Sequence, residues 1–350
     1  MRRLLAALVV VGATAAALSG CALPDSASGR TTIALLLPDK KTARYETFDR
    51  PVFEERIAES GDAQVLYTNA DQDAARQQQQ AESALAAGAA VLVLDPVDGR
   101  AAASILAAAT AEGVPVVSYD RMIVGGGKPA YYVSFDNERV GELQADALVA
   151  GLEREGRTDG GILMVHGSPT DSNAAQFREG ARRVIADAGL RILAEYDTPD
   201  WSPDKAQAWV AGQIAQYGDE IVAVYAANDG TASGAIAALR AADVSPFPLV
   251  TGQDAELTAL QRIVSGDQYM TVYKALRTQA TIAADVALQL ASGERPAGDT
   301  TVDGIPATLL TPVAVTVDDI ADTVVADGFW TVQDICTPAY AEACAAAGLE

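Results

Sequence analysis

Short apolar segments recur along this chain, and five of them end in charged or amide side chains. Each is rich in β-branched residues, and most lead into alanine-rich stretches with helical periodicity. This alternation is typical of buried parallel strands in βα units. Because polar groups beyond the carboxyl ends of such strands line a crevice, we expect a ligand site there. The five polar ends are Asp120-Arg121, Asp171 with Asn173, Asn228-Asp229, Gln253-Asp254 and Lys274.

The same rhythm extends through most of the chain and predicts an α/β fold of mostly parallel sheets with helices on both faces. The predicted strands are 32–37, 64–68, 91–94, 115–119, 131–134, 161–165, 191–196, 221–226, 248–251, 270–273 and 308–315. The predicted helices are 71–87, 100–111, 137–152, 173–188, 203–217, 231–241 and 276–290. The length fits two domains better than one.

The N-terminus has the parts of a bacterial export signal. A basic start precedes an apolar stretch at 4–18, which is too short to span a bilayer well. Residues 18–21, Leu-Ser-Gly-Cys, resemble a lipobox, which predicts cleavage before Cys21 and lipidation of that cysteine. We assign 1–20 to a lipoprotein signal peptide and 21–30 to a tether, so the folded body is anchored to the outer face of the cell membrane. An ordinary signal peptide cut near Cys21, without a lipid, is the alternative.

The charge balance limits the partners. The chain has 47 acidic and 25 basic residues, a formal net charge of −22. Such acidity argues against nucleic acid and against anionic lipid surfaces, which attract basic proteins. The membrane contact that we expect is therefore the lipid anchor alone.

The remaining cysteines and the single histidine give little support to catalysis or metal binding. Cys336 and Cys344 are expected to form a disulfide outside the cytoplasm, with two free thiols as the alternative. They and His166 are too few to form a zinc site. A serine-hydrolase triad would depend on His166, and no G-x-S-x-G motif surrounds a serine. We expect no enzyme activity, no cofactor and no metal.

Several segments, in the same order along the chain, carry a resemblance to a known family. They are 118–123 (SYDRMI), 132–138 (YVSFDNE) with 140–145 (VGELQA), 167–169 (GSP) with Asp171 and Asn173, 227–229 (AND), 251–255 (TGQDA) and 270–274 (MTVYK). These segments resemble the periplasmic D-xylose-binding proteins, which are type I sugar-binding proteins of ABC importers. The resemblance is collinear from about Thr32 to Gly328.

The resemblance implies two Rossmann-like lobes, joined by a three-stranded hinge, that close on one monosaccharide. The N-terminal lobe would comprise 31–135 and 275–309, and the C-terminal lobe 136–274 and 310–350. The expected ligand is D-xylose, the expected partner is an ABC permease, and the protein is expected to be a monomer. The alternatives are binding of another aldose, such as glucose, galactose or arabinose, and service as a sugar-sensing co-receptor.

Residue by residue, the resemblance implies nine sugar-binding side chains. They are Arg44, Tyr45, Asp120, Arg121, Asn173, Trp201, Asn228, Asp254 and Lys274. Carboxylates accept hydrogen bonds, Arg and Lys donate them and amides do both, which suits hydroxyl groups that donate and accept. Trp201 would pack on the apolar C–H face of the ring. Tyr45 is a departure, since the family has tryptophan there, and it leaves the identity of the sugar open rather than its class.

Six of these residues also have a structural interpretation. The structural alternatives are an ion pair for Asp120 with Arg121, helix caps for Asn173 and Asn228, a core position for Trp201 and a solvated side chain for Lys274.

Overall fold

Thirteen strands and eleven α-helices lie within residues 29–349, the part of the chain that the computed structural model describes. The strands are β1 Thr31–Leu37, β2 Ala63–Asn69, β3 Val91–Leu94, β4 Val116–Tyr119, β5 Tyr131–Phe135, β6 Gly161–His166, β7 Arg191–Asp197, β8 Ile221–Ala226, β9 Leu249–Val250, β10 Thr271–Tyr273, β11 Thr300–Val302, β12 Ile305–Leu310 and β13 Val313–Val315. The helices are α1 Arg50–Glu59, α2 Ala74–Ala86, α3 Ala103–Ala111, α4 Asn137–Glu155, α5 Ser172–Asp187, α6 Pro203–Tyr217, α7 Asp229–Ala241, α8 Leu257–Val264, α9 Leu276–Ala291, α10 Val332–Ile335 and α11 Ala341–Ala346.

The strands form two sheet systems. One is a seven-stranded sheet of order β11-β12-β5-β4-β3-β1-β2, parallel except for the β11–β12 pair. The other is a parallel sheet of order β7-β6-β8-β9, and β10 pairs antiparallel with β13. Backbone hydrogen bonds also join β10 to the segment after β9, with Val272 N 3.0 Å from Gly252 O. The predicted α/β class is confirmed. Below, each sheet system with its covering helices is called the N-terminal or C-terminal lobe.

Alternate residues of the central strands pack against opposite helical layers. In β1, Ile33, Leu35 and Leu37 belong to the apolar cluster that includes α1 and α9. Their neighbours Ala34 and Leu36 belong to the cluster that includes α2 and α3. The side chains of β6 alternate in the same way. Those on one face pack against α4 and α5, and those on the other face pack against α6 and α7. Burial on both faces explains why these strands are continuous apolar runs.

The chain passes three times between the two lobes. The passages follow β5, β10 and β12 and lead into α4, α9 and β13. All three passages lie side by side at one edge of the sheets, because β5 pairs with β12 and β10 pairs with β13. The residue bounds predicted for the lobes lie near these passages and stay a prediction.

One predicted strand is wrong in detail. The segment 308–315 is two strands, β12 and β13, which belong to different sheets and are separated by Thr311 and Pro312. Proline has no N–H for a ladder and disfavours a continuing strand, which accounts for the break. Strand β11 and helices α1, α8, α10 and α11 were not among the predicted elements.

The C-terminal segment packs on the hinge side of the C-terminal lobe and also reaches the N-terminal lobe. Phe329 stacks on Phe48 with ring centroids 4.0 Å apart. Trp330 Nε1 donates a hydrogen bond to Ala255 O at 3.0 Å. Cys336 and Cys344 form a disulfide between α10 and α11, outside these aromatic contacts.

Three predictions concern residues that the structure does not describe, wholly or in part. The signal peptide at 1–20 and the lipidated Cys21 lie outside the described residues, as does all of the tether except residues 29 and 30. Within 29–349, no helix is both long and apolar enough to cross a membrane.

Candidate functional site

One cavity lies between the lobes, where the carboxyl ends of their parallel strands meet. The space between its walls, including the part that is open to solvent, is about 310 Å³. All nine side chains with predicted ligand contacts line it. Its full lining is Thr42, Arg44, Tyr45, Asp120, Arg121, Asp171, Asn173, Phe177, Trp201, Asn228, Gln253, Asp254 and Lys274.

Arg44 is held rigidly at the start of the helical turn Tyr45–Asp49. Its Nη1 donates to Asp120 Oδ2 at 2.7 Å, and its Nε donates to Asp49 Oδ2 at 2.9 Å. Its Nη2 donates to Gln279 Oε1 at 2.7 Å. The guanidinium is 3% exposed, so these partners offset the loss of water around a buried charge.

Asp120 follows β4 with a φ of +58°, which turns its side chain into the cavity. Its Oδ1 accepts a hydrogen bond from Asn173 Nδ2 at 3.0 Å. Burial alone would raise the pKa of this carboxyl, but Arg44, Lys274 and Arg121 outweigh burial and hold the pKa below its ordinary value. Asp120 is therefore ionised and acts as a hydrogen-bond acceptor.

Arg121 lies among several oxygen atoms. Its Nε is 2.8 Å from Asp171 Oδ2 and 3.5 Å from Asp95 Oδ1. Its Nη2 donates to the Tyr45 hydroxyl at 3.2 Å, and its Nη1 donates to Pro96 O at 3.1 Å. Burial raises the pKa of Asp95 well above its usual range, although the charge of Arg121 opposes this rise.

Lys274 and Asp254 form a buried ion pair on the opposite wall. Lys274 Nζ lies 2.8 Å from Asp254 Oδ1. The ammonium group also lies 5.3 Å from the ring centre of Phe135 and 5.9 Å from that of Phe177. Lys274 is 3% exposed, so it is not a solvated surface lysine.

Trp201 forms an aromatic wall of the cavity. Its Nε1 donates to Asp171 Oδ2 at 3.0 Å, and its ring meets that of Phe177 edge to face at 6.4 Å. The indole lies so close to Gly167 that a Cβ there would come within 2.1 Å of it. Trp201 packs in an apolar cluster of the C-terminal lobe and also lines the cavity. It is therefore both a core residue and a residue of the cavity wall.

The capping alternative holds for one asparagine and not for the other. Asn228 caps α7, since its Oδ1 accepts a hydrogen bond from Thr231 N at 2.8 Å. Helix α5 is capped instead by Asp171, whose Oδ1 accepts from Asn173 N at 2.8 Å. The Asn173 amide group is left to reach Asp120.

Four lining residues were not predicted to contact the ligand. Asp171 and Gln253 belong to the polar motifs that follow predicted strands. The expectation that such residues line the site could therefore have included them among the ligand contacts. Gln253 Oε1 is buried and makes no hydrogen bond within the described part of the chain. Thr42 and Phe177 had no signal in the sequence, and Phe177 lies inside α5 rather than at a strand end.

The lobes touch directly beside the cavity, which makes this a closed form. Met122 N donates to Ser172 Oγ at 2.8 Å, and Gly99 N donates to Thr170 O at 3.1 Å. Both donors are in the N-terminal lobe and both acceptors precede or begin α5 in the C-terminal lobe. The Asp120–Asn173 and Arg121–Asp171 contacts cross the same boundary.

His166 and metal binding play no part in this geometry. His166 does not line the cavity, and its Nε2 lies 2.9 Å from Glu195 Oε2. Burial lowers the pKa of His166. Among the described residues, no group of three or more His, Cys, Asp or Glu side chains is arranged to hold a metal ion.

The sequence and the structure are similar to known proteins along most of the chain. The periplasmic binding protein domain family matches residues 33–295. The chain is 37% identical to the D-xylose-binding periplasmic protein of Escherichia coli over 305 residues, which is 85% of this chain and 90% of that protein. It is 30% identical over 352 residues to the multiple sugar-binding periplasmic receptor ChvE of Rhizobium radiobacter, covering 93% and 99% of the two chains.

A solved structure extends the similarity to the arrangement of the lobes. The ABC transporter solute binding protein of Clostridium phytofermentans, with bound β-D-glucose, matches with a TM-score of 0.80 and 28% identity. The match covers 87% of this chain and 100% of the other. The chain belongs to the periplasmic binding protein family, a family of solute-binding proteins and not of enzymes, and it has the type I fold of that family.

Proposed function

We propose that this protein captures one monosaccharide, D-xylose, in the interlobe cavity and delivers it to an ABC permease. The observation that carries the proposal is the convergence of the predicted sugar-binding side chains, from both lobes, on one small cavity. No single lobe supplies the set. Arg44, Asp120 and Arg121 come from the N-terminal lobe, whereas Asp254 and Lys274 come from the other.

The chemistry of the lining suits a sugar. A pyranose has a rim of hydroxyl groups, each able to donate and accept a hydrogen bond, and its C–H faces are apolar. The carboxyl oxygens of Asp120 and Asp254 accept, Arg121 and Lys274 donate, and charged partners give stronger bonds than neutral ones. The indole of Trp201 offers a flat apolar surface for a ring face.

A pentose needs less room in the cavity than a hexose, which carries an additional CH₂OH group. Most of the side chains that line the cavity are buried, so this group would have to find space among side chains that are already packed. A second candidate ligand is an aldohexose such as D-glucose. It is favoured by the similarity to a receptor named for multiple sugars and to a structure with bound β-D-glucose.

A panel of sugars separates the two candidates. D-xylose, L-arabinose, D-glucose and D-galactose are titrated into protein lacking residues 1–21, and tryptophan fluorescence is followed. Trp201 lines the cavity and the other two tryptophans do not, so a Trp201→Phe variant identifies the source of the signal. We expect D-xylose to give the lowest Kd. A preference for D-glucose or D-galactose would remove the pentose assignment and keep the sugar assignment.

Binding would be coupled to hinge closure. With the lobes apart, the contacts across the cleft are lost and the cavity opens to water. A sugar that bridges both lobes binds the closed form better and shifts the population toward it. The closed form would be the one that the permease recognises, with the protein acting as a monomer.

The proposed anchor has its own test. If Cys21 is lipidated, wild-type protein expressed in a bacterium partitions into the detergent phase and incorporates labelled fatty acid, and Cys21→Ser does neither. Equal partitioning of both proteins into the aqueous phase, without label on either, would contradict lipidation and leave sugar binding untouched.

A further inference from the structure

Asp229 lies directly beneath the turn that presents Asp254 to the cavity. It is the first residue of α7, it is fully buried, and it does not line the cavity. The turn above it, 252–256, follows β9 and contributes Gln253 and Asp254 to the lining. A buried carboxylate at this place needs partners, because an unpaired buried charge is strongly unfavourable.

Its partners are the turn itself and the next strand. Asp229 Oδ2 accepts a hydrogen bond from Glu256 N at 3.0 Å, and Asp229 N donates to Gln253 O at 3.1 Å. Oδ1 accepts from Gln268 Nε2 at 2.7 Å and from Thr271 Oγ1 at 3.0 Å. Asp229 therefore bonds both ends of the segment that contains Asp254.

The turn has a backbone conformation that needs such support. Asp254 and Ala255 have φ values of +95° and +50°, which residues with a Cβ rarely adopt. Asp254 N donates to Val272 O at 2.9 Å, and Ala255 N donates to Thr271 Oγ1 at 3.2 Å. Since Thr271 in turn donates to Asp229, the carboxylate fixes Ala255 through one intermediate hydroxyl group.

Gly252 makes room for this arrangement. A Cβ at that position would lie 2.1 Å from Asp229 Oδ1 and 2.6 Å from Gln268 Nε2. Its φ is not positive, so space and not backbone conformation requires the glycine.

The hydrogen-bonding partners of the carboxylate all donate, which favours its ionised form. Burial nevertheless raises the pKa of Asp229 to about 7, although the charge of Arg262 and the donated hydrogen bonds oppose this rise. The acidic groups that face it are Glu256 and Asp254. An amide in place of the carboxylate would direct N–H groups at N–H donors.

We propose that Asp229 is a positioning residue for the bound sugar, acting through the turn at 252–256 to place Asp254. The inference depends on the proposed function, because it assigns to Asp254 a contact with the sugar. It adds a residue that touches no ligand and yet sets the affinity.

A double-mutant cycle tests this role. D-xylose is titrated into wild type, Asp229→Asn, Asp254→Ala and the double variant, with calorimetric detection. Asp229→Asn should raise the Kd about 10- to 100-fold, and the double variant should bind within about 3-fold of Asp254→Ala alone, because residues that act as a unit are not additive. Thr251→Val is the control. Thr251 directly precedes the turn at 252–256, and its hydroxyl group forms buried hydrogen bonds with Gln144 and Ala226 outside that turn. The variant should therefore lower the Tm and leave the Kd unchanged.

Other outcomes would overturn the proposal. Multiplicative losses in the double variant, or wild-type affinity in Asp229→Asn, would show that Asp229 does not act through Asp254. If Asp229→Asn fails to fold, Thr271→Val decides. It removes the hydroxyl group that joins Asp229 to Ala255 and leaves the hydrogen bonds of Asp229 to Glu256 and Gln268 in place. It should weaken binding when Asp254 is present and have no further effect in the Asp254→Ala background. Wild-type protein that binds no sugar would instead refute the proposed function. If it binds D-glucose and not D-xylose, the same cycle is run with D-glucose.

Discussion

The Tyr45 hydroxyl accepts a hydrogen bond from Arg121 Nη2 at 3.2 Å, which joins the first helical turn of the N-terminal lobe to the end of β4. The Arg44 guanidinium lies 5.2 Å from the centre of the same ring. A tryptophan, which the family resemblance implies at this position, has no oxygen to accept that bond. Position 45 therefore influences the orientation of Arg121 as well as the shape of the cavity.

Removal of this hydroxyl should weaken sugar binding. Tyr45→Phe keeps the ring and deletes the acceptor, so Arg121 loses one of its buried partners. A hydrogen bond to a charged group contributes about 1.5–3 kcal/mol, and we expect D-xylose affinity to fall about 10-fold, measured by calorimetry. Tyr131→Phe is the control, because its buried hydroxyl contacts Thr308 and does not line the cavity. Equal affinities for Tyr45→Phe and wild type would mean that Arg121 is oriented by its acidic partners alone.

Stability should fall as the pH rises through about 8, because of Glu256. Burial, together with the Asp229 and Asp254 carboxylates, raises the pKa of Glu256 to about 8, above the value near 4.5 expected in the unfolded chain. The folded state binds the proton more tightly, so the stabilisation is complete below pH 4.5 and is lost by about pH 8. The Tm of the sugar-free protein should therefore decline between pH 5 and pH 9.

Glu256→Gln tests the origin of that decline. The variant removes the titrating group, so its Tm should depend less on pH and exceed that of wild type at pH 9. Glu153→Gln makes the same charge change on the exposed surface of α4 and should follow the wild-type curve. Parallel curves for wild type and Glu256→Gln would assign the pH dependence to other groups.

Loss of the disulfide should cost stability and not affinity. It closes a loop with a sequence separation of 8, for which the chain-entropy estimate is roughly 2–3 kcal/mol. Neither cysteine lines the cavity. Urea unfolding of the Cys336→Ser, Cys344→Ser double variant should show this loss, with D-xylose affinity unchanged. A large drop in affinity would mean that the C-terminal segment takes part in closure.

The candidate site was largely predictable because parallel strands bring their carboxyl ends to one edge. Asp120, Asp254 and Lys274 are far apart in sequence, yet each follows a strand, and the fold brings them together. A pattern of apolar runs followed by polar residues contains that information. The family resemblance supplied Arg44, Tyr45 and Trp201, which the strand pattern alone does not single out.

The supporting residues were not predictable from such a pattern. Asp229 is adjacent in sequence to Asn228, but its side chain is buried beneath the neighbouring turn, and only the three-dimensional packing shows this. Phe177 reaches the cavity from inside α5, where periodicity predicts a core residue. The break between β12 and β13 arises because the two strands join different sheets. The sequence of a single apolar run does not show which sheet each part will join.

The most direct test of the account is calorimetric titration of D-xylose into wild type and Asp254→Ala, both lacking residues 1–21. Wild type should bind with a Kd of about 0.1–10 µM, or roughly −7 to −10 kcal/mol. Asp254→Ala removes a charged acceptor from a desolvated site and leaves Lys274 without its partner, so it should lose about 2–4 kcal/mol, or roughly 30- to 1000-fold in affinity. Absence of heat with wild type for D-xylose and for every other aldose in the panel, or equal affinity in the two proteins, would contradict the proposal that this cavity holds the sugar.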